Sequence, residues 1–416
     1  MLREFLSRLS GKKAAGGRRL FVAQGPAQLL TCDAVACFVS EKNSKPLENV
    51  CAFFGKYAFV KDAGICEATR VVSRSPTWSA AIDLFDMENA MWRNVETDFD
   101  AVIREIRSAV GTGIEELYIA RNWQATNEIV ARAFPEARVF TYGDSLGRID
   151  SIDLPGYRVP EAAYCVIPDI LARVDATVTP ETMPFHIIPR IFYIQAIERI
   201  RAANQASGIL DRVDASSAGD AALVLTSNYA DAGLISLDEE VRLVMDIIAP
   251  MLDGVESVYV KPHPREVGGQ AAAVAERIRG ETGRKAELFC DSNDGAAYLP
   301  LEILINQPLF RRILAPFASY PCVTMPWLFD VPVEVPTGAE VIARTSLTAE
   351  EIRHVVTEIN NIRRQADKLS AWDGKSILMS EKVENPEIYA HLLDSNPERR
   401  WRSELRYVNG ILPPVS

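Results

Sequence analysis

Along this chain, apolar runs of strand length alternate with longer stretches whose apolar positions recur every three or four residues. The runs suit strands covered on both faces, and the longer stretches suit helices packed over them. RLFVA (19–23) predicts a first strand, followed by a helix through 28–39, QLLTCDAVACFV. NVCAFF (49–54) predicts a second strand, and the apolar spacing in 79–95, SAAIDLFDMENAMWRNV, predicts a helix. LYIA (117–120), a helix over 126–134 and RVFTY (138–142) then form a strand–helix–strand unit. The alternation lapses through a proline-punctuated stretch that ends in a long helix around 188–206.

The pattern resumes after a small, polar segment ending at residue 220. ALVLT (222–226), SVYVK (257–261) and AELFC (286–290) predict strands, separated by helices over 238–252 and 269–280. Such alternation implies an α/β protein with parallel sheets. The expected organisation is two Rossmann-like domains, 19–207 and 221–370, joined by a linker at 208–220. A basic tail at 1–18 and a helical segment at 371–416 flank them. Two such halves face each other across a cleft at their C-terminal strand ends, where ligands bind in this architecture.

Charge narrows the partners. A net charge of -11 and an isoelectric point near 5.1 exclude a general nucleic-acid-binding surface, which needs clustered lysine and arginine. The basic residues that do cluster lie at the two ends. Arg3, Arg8, Lys12, Lys13, Arg18 and Arg19 oppose only Glu4, and Arg399, Arg400, Arg402 and Arg406 surround Trp401. They read either as solvated tails or as a peripheral contact with an anionic inner leaflet. Seven scattered cysteines without a CxxC pair read as reduced, mostly buried thiols of a cytoplasmic protein, and no signal peptide or membrane span is expected.

The sharpest local feature is YVKPHPRE (259–266), an apolar strand ending in Lys261, Pro262, His263 and Pro264. One of only four histidines is thus fixed between prolines beside a cation at a strand end; the alternative is a strand-terminating turn. Downstream, Glu302 follows Pro300 at a helix start, where it either stabilises the helix dipole or accepts hydrogen bonds from a ribose diol. Ser319 follows an apolar strand at a turn suited to a phosphate. In the first half RVFTY leads into Gly143, Asp144 and Ser145, where the acid either faces the cleft or holds its own turn. Asp98-Phe99-Asp100 spells the DxD of metal-dependent transferases, but it precedes a helical run and reads as a helix N-cap. No metal site is expected.

Taken in order, these segments resemble the bacterial sialyltransferases and polysialyltransferases. RLFVAQGPAQLLTCDAV is similar to that group's opening strand, loop and helix, TYGDSLG to its acidic motif and YVKPHP to its His-Pro motif. LPLEIL and FAS are similar to its ribose-binding and phosphate-binding segments. The resemblance implies a GT-B fold and inverting, metal-independent transfer without a cofactor. The substrates it implies are a CMP-activated nonulosonic acid and a glycan acceptor. The acidic motif holds a single acid here, so Asp144 alone would be the general base. His263 would be the general acid or electrostatic partner of the departing phosphate, with Lys261, Pro264 and Ser319 around it. Glu302 would hold the ribose, and Ser227 and Asn228, after the first strand of the second half, would approach the donor. A Kdo transferase, a CDP-polyol phosphotransferase and a catalytically silent glycan- or nucleotide-binding protein remain the alternatives.

Overall fold

A computed structural model of the chain describes residues 17–43, 45–54, 63–85, 87, 98–120, 125–143, 148–149, 160–165, 167–168, 185–210, 220–231, 233–264, 266, 268–290, 295–305, 309–317, 319–345, 347–348, 352–353, 355–357 and 359–360. The first half is built on β1 (Arg18–Gln24), β2 (Glu48–Phe54), β3 (Ala80–Asp83), β4 (Ile114–Ala120) and β5 (Arg138–Tyr142). A short pair, β6 (Arg148–Ile149) and β8 (Ile167–Pro168), stands apart, while β7 (Ala163–Cys165) and β9 (Phe185–Ile187) extend the main sheet. That sheet has seven parallel strands in the order β3-β2-β1-β4-β5-β7-β9.

Its helices are α1 (Pro26–Lys42), α2 (Ala63–Ser73), α3 (Phe99–Val110), α4 (Ala125–Ala133) and α5 (Arg190–Asn204). Because the strands are covered on both faces, the middle of β1 is buried at every position, as its unbroken apolar run requires. Helix α1 is apolar on nearly all sides and correspondingly buried on nearly all of them.

The second half has β10 (Ala221–Leu225), β11 (Ser257–Lys261), β12 (Lys285–Leu288) and β13 (Arg312–Leu314), again all parallel, in the order β12-β11-β10-β13. Around them lie α6 (Leu237–Ile248), α7 (Gln270–Thr282), α8 (Gly295–Tyr298), α9 (Leu301–Leu304), α10 (Pro321–Phe329) and α11 (Gly338–Arg344). Both sheets place the first strand of their half beside the point where the strand order reverses, the Rossmann arrangement that opens a crevice at the C-terminal strand ends. Two parallel α/β units in succession are the GT-B architecture expected from the sequence.

Helix α5 ties the halves together. Its Arg199 donates to the buried Asp33 of α1 at 2.7 Å, and Asn204 donates to the Val71 carbonyl of α2 at 2.9 Å. Toward the second half, Arg190 donates to the Trp327 carbonyl at 3.1 Å and Arg201 to the Ile303 and Leu304 carbonyls. One apolar core runs from Phe21 and Tyr118 through Tyr193 and Ile197 to Ile303 and Trp327. A second contact joins α2 to α8 through two glycines. A Cβ on Gly64 would lie 2.0 Å from the Tyr298 ring, and one on Gly295 would lie 2.8 Å from Glu67 Cγ.

Three expectations need correction or completion. Residues 80–83, read as part of a helix over 79–95, form the edge strand β3 paired with β2, and helix α2 just before it was not foreseen. The stretch alternates half-buried and exposed positions over only four residues, too few to declare its period. Arg18 and Arg19, counted with the basic amino terminus, belong to β1. Arg19 is buried and donates to Glu116 at 2.9 Å, and Glu116 also accepts from Tyr118 and Arg138, so the charge is compensated inside the fold. Asp98 is the N-cap of α3, accepting from the Ala101 amide at 2.9 Å, as its position before a helical run implied. All seven cysteines are unbridged, and five of them are buried. Among the described residues no helix is long and apolar enough to cross a membrane. The remaining basic residues of the amino terminus and the segment 371–416 lie outside the described residues.

Candidate functional site

The His-Pro segment begins where β11 stops. Proline fixes its own φ and lacks an N–H, so Pro262 ends the ladder and Pro264 is pre-set for the second position of a reverse turn. That turn forms, since the His263 carbonyl accepts from the Glu266 amide at 2.9 Å. Its closing residue then reaches back. Glu266 Oε2 accepts from the His263 amide at 3.3 Å and from Thr226 Oγ1, at the end of β10, at 3.2 Å. Glu266 Oε1 accepts from the Ala271 amide, in the first turn of α7, at 2.8 Å. The carboxyl group is buried, and burial raises its pKa against the opposing effect of these bonds.

Lys261 points inward. Its Nζ donates to the Ala297 carbonyl of α8 at 2.9 Å and to the Pro262 carbonyl at 3.4 Å, and only 5% of the residue is exposed. Burial lowers its pKa, opposed by the nearby Cys290, Glu302 and Glu266. The cation thus braces the His-Pro strand against the segment leading to Glu302.

Glu302 lies in the first turn of α9 behind Pro300 and is buried, its carboxylate accepting from the Thr324 hydroxyl of α10. Burial raises its pKa, and the Thr324 bond and the Lys261 charge act the other way. Ser319 is half-buried in the turn that opens α10, its carbonyl accepting from the Cys322 amide at 3.0 Å. Ser227 is buried and donates to Glu240 of α6, which also accepts from the Ala230 amide at 2.7 Å. Asn228 beside it is half-buried. Asp231 closes the set, accepting from the Gly268 amide at 3.1 Å and from Gln270 Nε2 at 3.0 Å, so that the loops after β10 and β11 are clasped together.

The fold therefore gathers Ser227, Asn228, Lys261, His263 and Pro264 at the ends of two paired strands, in which Leu225 is opposite Lys261. Lys261 reaches α8, which precedes the helix of Glu302, and Thr324 ties Glu302 to α10, the helix that Ser319 precedes. Asp144 lies outside the described residues; β5 can be followed to Gly143, whose amide donates to the Tyr164 carbonyl at 2.9 Å. Glu266, Glu240 and Asp231 were missed from the sequence. The only signal for Glu266 was an acid closing the four residues that His263 and Pro264 begin. Among the described residues no group of three or more His, Cys, Asp or Glu side chains converges as a metal site.

Comparison with known proteins adds an outside view. No curated protein matches the chain. Among solved structures, a family 9 glycosyl transferase from Veillonella parvula is 11% identical, with 77% of this chain and 80% of that one covered and a TM-score of 0.38. A UDP-GlcNAc 2-epimerase from Methanocaldococcus jannaschii is 10% identical over 94% and 99% of the two chains, with a TM-score of 0.42. The E. coli heptosyltransferase WaaC, solved with ADP, is 12% identical over 85% and 99%, with a TM-score of 0.40. Likeness at this level carries no information on substrate. A family model is more specific. Its match takes in the His-Pro turn and Glu302 while stopping short of Asp144 on one side and Ser319 on the other: residues 161–315 match the alpha-2,8-polysialyltransferase family, which supports a polysialyltransferase-like glycosyltransferase.

Proposed function

We propose that the chain is an inverting, metal-independent glycosyltransferase that moves a nonulosonic acid, such as a sialic acid, from a CMP donor to a glycan hydroxyl. The observation that carries this reading is the buttressed His-Pro turn at the C-terminal end of β11, inside the polysialyltransferase-like segment. In this reading CMP occupies the strand ends of the second half, with Ser319 and the start of α10 toward the phosphate. Glu302 would accept from the ribose hydroxyls once Thr324 yields its place. Asp144 takes the proton of the acceptor hydroxyl as its oxygen bonds to the anomeric carbon. The bond from that carbon to the phosphate oxygen breaks, and His263 donates a proton or a hydrogen bond to the leaving phosphate. Lys261 contributes from beneath, by bracing the turn and by its charge.

The test is a donor panel of CMP-linked nonulosonic acids, CMP-Kdo and a CDP-polyol, each with and without glycan acceptor and with EDTA. CMP release from a CMP-nonulosonate, stimulated by acceptor and unchanged by EDTA, is the expected result. A strict Mg²⁺ or Mn²⁺ requirement, turnover of the CDP-polyol alone, or binding without turnover would each overturn the reading.

A further inference from the structure

The two oxygens of Glu266 serve different elements. Oε1 receives the Ala271 amide of α7, whose N-cap, Gly269, offers no side-chain cap of its own. Oε2 receives the His263 amide and the Thr226 hydroxyl. A residue needed only to start α7 would require the first oxygen alone. The second holds the backbone of the histidine that the proposed function places at the donor phosphate, and does so from a buried position where the bond competes with little water. Thr226 adds a cross-brace, its one hydroxyl proton shared between the Lys261 carbonyl at 3.0 Å and Glu266 Oε2 at 3.2 Å. The His263 amide is thereby fixed relative to β10, β11 and α7 together.

We propose that Glu266 is the positioning residue of His263, acting on the reaction through the orientation of that histidine. The proposal rests on the glycosyltransferase reading for its catalytic consequence, and on geometry alone for the positioning itself. Glu266→Gln separates the two oxygens. The amide oxygen can keep the shorter bond to Ala271, but the amide nitrogen then faces the His263 N–H as a second donor, and that bond is lost.

The test is a double-variant cycle with CMP-sialic acid as donor, combined with ¹³C-His NMR in which the His263 signal is the one absent from His263→Ala. Glu266→Gln is expected to lower kcat about 10- to 100-fold, to move the His263 imidazole signal, and to cause no further loss in the His263→Ala background. Thr226→Val, which leaves the bond to Ala271 in place, should give a smaller loss that also vanishes in that background. It replaces Glu266→Gln if the latter does not fold. Equal losses in both backgrounds, or an unmoved His263 signal, would overturn the proposal. Native turnover in His263→Ala would instead overturn the catalytic reading, and the NMR shift would still decide the positioning.

Discussion

Strands β5 and β11 each lead into a segment singled out from the sequence, the first described as far as Gly143 and the second through the turn that follows it. After β11, Glu266 of the turn and Thr226 from the end of β10 hold the turn, while Lys261 ties the strand end to α8. After β5, the bond from the Gly143 amide to the Tyr164 carbonyl continues the sheet up to the residue before Asp144. Among the described residues of the first half, the buried Arg19 pairs with Glu116 near the N-terminal ends of β1 and β4, and the buried Asp33 pairs with Arg199 between α1 and α5. In the proposed reading, the donor phosphate would therefore meet side chains that are already held in place around β11. Preorganisation where charge develops is what electrostatic catalysis asks of the phosphate side.

The largest expected effect is at Asp144. Asp144→Asn should lower turnover by about 10² to 10⁴ while CMP affinity stays nearly unchanged, measured by CMP release and by titration calorimetry. Near-native turnover would remove Asp144 from the mechanism. Next comes the contact between halves. Gly64→Ala places a Cβ 2.0 Å from the buried Tyr298 ring, and should destabilise the protein by about 1–3 kcal/mol in a denaturant titration. An unchanged midpoint would show that α2 and α8 part without cost.

The smallest expected effect is at Glu302. The folded protein holds the Glu302 proton above the ordinary glutamate value near 4.5, chiefly through burial. In the window between that value and the raised one, the folded state binds more protons than the unfolded state, so stability falls as pH rises and then levels off. Each unit of separation corresponds to about 1.4 kcal/mol. Glu302→Gln cannot ionise, so its melting temperature should decline less than that of the wild type between pH 4.5 and 7. Parallel curves would mean that Glu302 is already ionised near its ordinary value.

Much of the frame was legible in the sequence because parallel strands buried on both faces write themselves as unbroken apolar runs, as in β1 and β10. Strand β3 was not, being only four residues long and at the sheet edge, with two of its residues exposed, so its spacing passed for a helix. His263 stood out through local chemistry, a histidine between two prolines. Glu266 did not, because its partners include Thr226, 40 positions away, and backbone amides that no residue type announces. Arg19 was placed in the first strand yet also counted among the basic residues of the amino terminus, since the carboxylate that compensates it is 97 positions distant. Ser227 was chosen for its place after β10, yet its hydroxyl is engaged by Glu240, a partner from the next helix.

The assignment of the donor site to the second half is tested most directly by titrating CMP into the wild type, Asp144→Asn and His263→Ala under one condition. Loss of affinity in His263→Ala alone, with turnover lost in both variants, is the expected result. Wild-type CMP binding together with wild-type turnover in His263→Ala would contradict it, because the His-Pro turn of β11 would then take no part in holding the donor.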